Sequence, residues 1–159
     1  MRSKAEPPSE PREPLPECAA GAGAVILVGF MAAGKTSVGR ELAERLGCSF
    51  ADLDEHIQAR EQRSIEEIFR DSGETGFRHA EHAALRALLQ ESNAGERVLA
   101  LGGGAFVQSR NADLLRQAAA RTVFLDAPVE ELFRRCQEQN LERPLRRDLE
   151  QFRKLYQER

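Results

Sequence analysis

Three unbroken apolar runs punctuate the chain: AVILVG at 24–29, VLALG at 98–102 and TVFLD at 122–126. Strands covered on both faces need side chains that are apolar throughout rather than alternating, so each run predicts a buried parallel strand. A shorter strand is predicted over CSFAD at 48–52. Between the runs, apolar positions recur at helical spacing. Val38, Leu42 and Leu46 share one helix face after the first run, and Phe77, Ala84, Leu85 and Leu88 share a face of another helix. Ser64 with Glu67, ahead of IEEIF, and Asp148 with Gln151 have the spacing of capping boxes. Asp126 followed by Pro128 predicts the start of the helix VEELFRRCQEQ, because proline is tolerated in a first turn. Strands alternating with helices give an α/β fold, a parallel sheet with helices on both faces. Residues 1–20 break the pattern, being rich in Pro and Glu and poor in large apolar side chains. Such a segment buries too little surface to offset the entropy of ordering, so it predicts a disordered tail ahead of one domain at 21–159.

Composition narrows the setting. A chain of 159 residues, 41% hydrophobic and 31% charged, fits one soluble domain with a real core. Its formal net charge of -3, without a basic block, argues against a nucleic-acid partner. The three cysteines, Cys18, Cys48 and Cys136, are too dispersed for a disulfide framework or a metal knuckle, which suits a reducing cytoplasm. The N-terminus lacks the apolar core of a signal sequence, and no run approaches the roughly 18 residues of a membrane span. The expectation is a cytoplasmic protein with no membrane partner.

Candidate chemistry begins directly after the first run. Gly29, Gly34, Lys35 and Thr36 satisfy the phosphate-loop spacing G-x-x-x-x-G-K-[ST]. Glycines let the backbone curl so that successive N–H groups face phosphate oxygens, and the following helix adds its positive end. Lys35 would reach the terminal phosphates and the Thr36 hydroxyl would sit on Mg²⁺. In DLDEHI, strand alternation would send Asp52 and Asp54 to the same side. One suits a water on Mg²⁺, and the other suits hydrogen bonding to, or proton removal from, an acceptor hydroxyl. Either could instead cap the next helix.

Arg78 follows Phe77, and a rigid guanidinium fork matches a carboxylate or phosphate. Glu81, one turn on, could orient it or be its surface ion partner. Gly102, Gly103 and Gly104 come straight after a predicted strand, a composition suited to close backbone approach to a bound molecule or to a tight turn. Arg143 lies in the polar segment NLERPLRRD, which could close over a nucleotide.

In order, GFMAAGKTSVGRELA, FADLD, SIEEIFRDSGETGFRHAE, LALGGGAF, VFLDAP and ERPL resemble the shikimate kinases over about residues 24–159. The resemblance implies a three-layer α/β/α P-loop kinase with a central parallel sheet of strand order 2-3-1-4. It implies transfer of a phosphoryl group from ATP to the 3-hydroxyl of shikimate, with Mg²⁺ as cofactor and a monomer as the working unit. It assigns ATP to Gly29, Ala32, Ala33, Gly34, Lys35, Thr36, Ser37, Arg135 and Arg143, with Arg143 in the lid. Magnesium falls to Thr36 and Asp52, and the acceptor to Asp54, Arg78, Gly102, Gly103, Gly104 and Arg159. Lys35, Asp52, Asp54 and Arg143 form the implied catalytic set. His56, His79 and His82 match no functional position and are expected on solvated helix faces.

Two departures modify this picture. The lid segment RPLRRDLEQ runs quickly into a helix, and the family continues past FRKLYQER with a fifth strand and a closing helix. The domain is therefore expected to be C-terminally truncated, with Arg159 terminal and an open edge on strand TVFLD. Two other functions remain open: a kinase of another sugar acid such as gluconate, and a non-catalytic ligand-binding module.

Overall fold

Each apolar run forms a strand in the computed structural model, which describes residues 24–91, 97–138 and 148–157. Strands β1 (Val25–Gly29), β2 (Ser49–Asp52), β3 (Arg97–Ala100) and β4 (Arg121–Leu125) make one parallel sheet in the order β2-β3-β1-β4. Central β1 is paired on both edges, with Ile26 opposite Leu99 on one side and Thr122 on the other.

Alternation along β1 supplies both faces of the core. Ile26 and Val28 pack with residues of α2 (Leu53–Glu61) and α3 (Ile65–Gln90), whereas Leu27 packs with Ala43 of α1 (Lys35–Leu46). Helices thus cover both sheet faces, giving three layers. A separate cluster joins Phe30, just past β1, to Leu132 and Cys136 of α5 (Val129–Glu138) and Phe152 of α6 (Leu149–Gln157). Phe152 and Tyr156 meet the Phe30 ring edge-on at centroid distances of 5.2 and 5.3 Å. That contact seats α6 beneath the phosphate loop. Among the described residues β4 pairs with β1 alone, and Val123 and Phe124 are exposed.

Local signals account for most boundaries. Ser64 and Glu67 form the reciprocal capping box at the start of α3. Gly73, at φ 64° and ψ -175°, kinks that helix before the stretch bearing Phe77 and Arg78. Other expected caps differ in detail. Asp148 accepts from the Glu150 amide at 2.9 Å, so it caps α6 through the second helical N–H. Pro128, not Asp126, opens α5, its carbonyl accepting the Leu132 amide at 3.0 Å. Asp126 instead accepts from the Ala127 amide and the Tyr156 hydroxyl, both at 2.9 Å. One element is additional to the sequence reading: α4 (Ser109–Gln117), which follows the glycine run. Among the described residues no helix is long and apolar enough to cross a membrane.

The buried face of α3 contains Phe77, Ala84, Leu85 and Leu88 as expected, but it also carries Glu81 at 2% exposure. A buried carboxylate persists only with a partner. Arg78 supplies it, Nη1 donating to both Glu81 oxygens at 3.0 and 3.1 Å. Burial pushes the Glu81 carboxyl above its ordinary value of 4.5, and the Arg78 guanidinium pulls it partly back. A raised folded-state pKa means that the folded chain holds this proton more tightly than the unfolded chain. Its contribution to stability is therefore greatest below the ordinary value and is lost as pH rises through the raised one. Glu81→Gln is expected to flatten that fall in urea-unfolding stability as pH rises above the ordinary value of 4.5. An equal fall in both proteins would contradict the assignment.

Candidate active site

Parallel strands end on the same edge of the sheet, and the functional segments all leave from there. The phosphate loop begins where β1 stops. A β-carbon on Gly29 would stand 2.4 Å from the Leu125 carbonyl oxygen, so only glycine lets β1 pass β4 at that point. Ala32 and Gly34 have φ of 60° and 92°, and these left-handed residues curl the loop around its own amides. No side chain caps α1 and its first turn holds no acidic residue, leaving the positive helix end for an anion. The Lys35 ammonium donates to the carbonyls of Gly29 and Phe30 at 3.0 and 2.9 Å, which holds it over the loop.

Opposite the loop, the Thr36 hydroxyl donates to Asp52 Oδ2 at 2.9 Å. The two residues assigned to magnesium therefore stand together and offer the hard oxygen ligands that this ion takes alongside water and phosphate. Asp52 has a second task, since its Oδ1 accepts from the Asp54 amide at 3.0 Å and caps α2. Strand alternation does not relate the two aspartates. β2 ends at Asp52 and α2 starts at Leu53, so Asp54 projects from the first helical turn. Its carboxylate nonetheless reaches the site, because a β-carbon on Gly102 would lie 2.9 Å from Asp54 Oδ1.

The same turn approaches the arginine. A β-carbon on Gly104 would lie 2.8 Å from Arg78 Nη2. Gly102–Gly104 is thus a bare backbone wall touching the acidic and the basic residue at once. The Arg78 side chain is only 14% exposed, held by Glu81 on Nη1 and by Glu74 on Nη2 at 3.4 Å. Its Nε is buried and has no hydrogen-bond partner among the described residues. An oriented guanidinium with spare donor capacity suits an organic anion. Phe77 stacks on Phe69 with centroids 4.5 Å apart, and the Arg78 guanidinium carbon lies 5.3 Å from the Phe77 ring centre. Loop and wall also share a cavity of about 200 Å³, lined by Gly29, Phe30, Gly102, Gly103, Phe124 and Tyr156 among others.

Not every candidate joins this cluster. Arg135 lies on α5 and pairs with Glu131 of the same helix at 2.7 Å. Arg143 and Arg159 lie outside the described residues. Among the histidines, His79 is exposed, but His82 departs from the expectation of a solvated face. Its Nδ1 stands 2.9 Å from Oδ1 of the fully buried Asn111. Sequence reasoning passed over Asn111 and Arg110 together with their helix α4. The available signal was the helical spacing of Ala112 and Leu115, three positions apart behind the glycine run.

Comparison with known proteins agrees with this geometry. The family model described as shikimate kinase matches residues 31–159. Shikimate kinase of Persephonella marina is 36% identical over 136 residues, covering 85% of this chain and 80% of that protein. The Geobacter metallireducens shikimate kinase is 47% identical over 78% of this chain and 66% of its own length. For the Caulobacter vibrioides shikimate kinase the figures are 45%, 76% and 58%, so the chain spans between about three-fifths and four-fifths of these relatives. Among solved structures, shikimate kinase from Acinetobacter baumannii in complex with shikimate superposes with a TM-score of 0.75 at 39% identity, covering 87% of this chain and 76% of that one. A gluconokinase from Sinorhizobium meliloti, at 18% identity and a TM-score of 0.52, shares the fold alone. A phosphate loop, a paired threonine and aspartate, and an arginine beside a glycine wall thus occur in a chain that belongs to the shikimate kinase family.

Proposed function

We propose that the chain transfers the terminal phosphoryl group of ATP to the 3-hydroxyl of shikimate. The observation that carries this reading is the Gly102–Gly104 wall, against which Asp54 and Arg78 both lie, at the sheet edge that also bears the phosphate loop. Backbone amides from Ala32 to Ser37 and the open end of α1 hold the phosphates, and Lys35 swings from the Gly29 and Phe30 carbonyls to the terminal phosphate. Thr36 and Asp52 would hold magnesium, which would supply charge neutralisation at the phosphates. Arg78 grips the acceptor carboxylate, and the Gly103 and Gly104 amides line the same pocket. Asp54 accepts a hydrogen bond from the acceptor hydroxyl and removes its proton as the oxygen attacks. Arg135 and the lid arginine Arg143 complete the nucleotide side in this reading, and Arg159 the acceptor side. The setting is cytoplasmic and the working unit a monomer.

Positioning and charge neutralisation do most of the work in phosphoryl transfer, so losses should follow charge and reach. ADP release coupled to a reporter is expected with shikimate and not with gluconate. Turnover of gluconate alone would move the assignment to another sugar acid. Asp54→Asn should lower kcat at least about a hundredfold while nucleotide affinity stays within about twofold. Parallel loss of both would make Asp54 a fold residue. Lys35→Ala should lower kcat/KM for ATP by roughly a hundredfold to a thousandfold, and unchanged kinetics would remove the loop from the reaction.

A further inference from the structure

The acceptor pocket is assembled from parts distant in sequence, and something has to keep them in register. Arg78 and Glu81 ride on α3, whereas the glycine wall hangs between β3 and α4. The two parts lie close together, since a β-carbon on Gly104 would stand 2.8 Å from Arg78 Nη2. Packing alone does not fix a bare turn, since glycines offer no side chains to interlock.

One side chain bridges the two parts. Asn111, on α4, is fully buried. Its Nδ2 donates to the carbonyl of Ala105 at 3.0 Å, directly after the glycine wall. Because that carbonyl can only accept, the amide's orientation is settled and Oδ1 faces α3. There it accepts from His82 Nδ1 at 2.9 Å, one helical turn beyond Arg78. Ala105 is itself fully buried, and its carbonyl also receives the Gln108 amide at 3.3 Å. The neighbouring Arg110 reinforces the clasp by donating from Nη2 to the backbone carbonyl of Arg78. Consecutive residues of α4 therefore hold the wall and the arginine helix together, one through a side-chain amide and the other through a guanidinium.

We propose that Asn111 is a positioning residue for acceptor binding: it ties the glycine wall to α3 and so sets the gap between the Gly102–Gly104 backbone and the Arg78 guanidinium. It touches neither substrate nor phosphate. Its effect runs through Ala105 and His82, and the phosphate loop, attached to β1 and α1, lies outside that clasp. This inference rests on the reading that Arg78 and the wall receive the acceptor.

The test replaces Asn111 by leucine, which keeps the bulk and removes both hydrogen bonds, and by aspartate, which keeps an acceptor for His82 and loses the donor to Ala105. Steady-state kinetics with shikimate and ATP should show the shikimate KM rising about tenfold or more in both variants, with the ATP KM within about twofold of the parent. Amide hydrogen exchange should quicken over Gly103–Ala105 and stay unchanged over Gly34–Ser37. A folded variant with an unchanged shikimate KM would overturn the proposal, as would equal rises for both substrates, which a general loosening of the fold produces. Should the leucine variant not fold, the aspartate variant carries the comparison. If the parent protein itself does not phosphorylate shikimate, the functional reading falls, and exchange alone decides the tether: faster exchange confined to the wall supports it and unchanged exchange overturns it.

Discussion

The gap between the Gly102–Gly104 backbone and two opposite charges is the constraint on which the rest of the structure depends. A β-carbon at either end of this turn would run into Asp54 or Arg78 at less than 3 Å. The turn can therefore face both only as bare backbone, and both must be held still. Asp54 is held because Asp52 caps α2 through the Asp54 amide, and Arg78 because Glu81, from inside the core, accepts two bonds from its Nη1 while Glu74 accepts one from Nη2. The sheet does the remaining positioning. β1, β2 and β3 end together, so the loop after β1, the cap after β2 and the wall after β3 meet without any long excursion of the chain.

Electrostatics and burial act together at Glu81. A carboxylate at 2% exposure would be costly alone, and Arg78 makes it tolerable. In return the arginine has Nη1 engaged by Glu81 and Nη2 by Glu74, and its buried Nε lacks a partner among the described residues. A guanidinium aimed by a buried partner loses little conformational freedom when an anionic ligand arrives. The phosphate side works on the same economy, since the curled backbone and the uncapped helix end already present their N–H groups for an anion.

Much of this was legible in the sequence wherever the controlling physics is local. Three of the four strands follow from continuous apolar runs, and the phosphate loop from glycine and lysine spacing, because neither depends on distant residues. Asp52 and Asp54 were related wrongly, since the strand was read as continuing through Leu53 when a helix begins there. Strand and helix compete at such a junction, and the cap bond from Asp52 decides it. Spacing leaves open whether Glu81 orients Arg78 or pairs with it on the surface, and only the packing of α3 against the sheet shows it to be buried. His82 and Asn111 were invisible for the same reason: they lie 29 positions apart, and their contact exists only once α4 docks on α3.

The claim that carries most weight is that Arg78 and the glycine wall recognise the carboxylate of the acceptor. Calorimetric titration with shikimate and with its methyl ester, each in the presence of a non-hydrolysable ATP analogue, tests it most directly. Loss of a charge-assisted hydrogen bond predicts that the ester binds roughly tenfold to a hundredfold more weakly than the acid. Equal affinities for the acid and its ester would contradict the account.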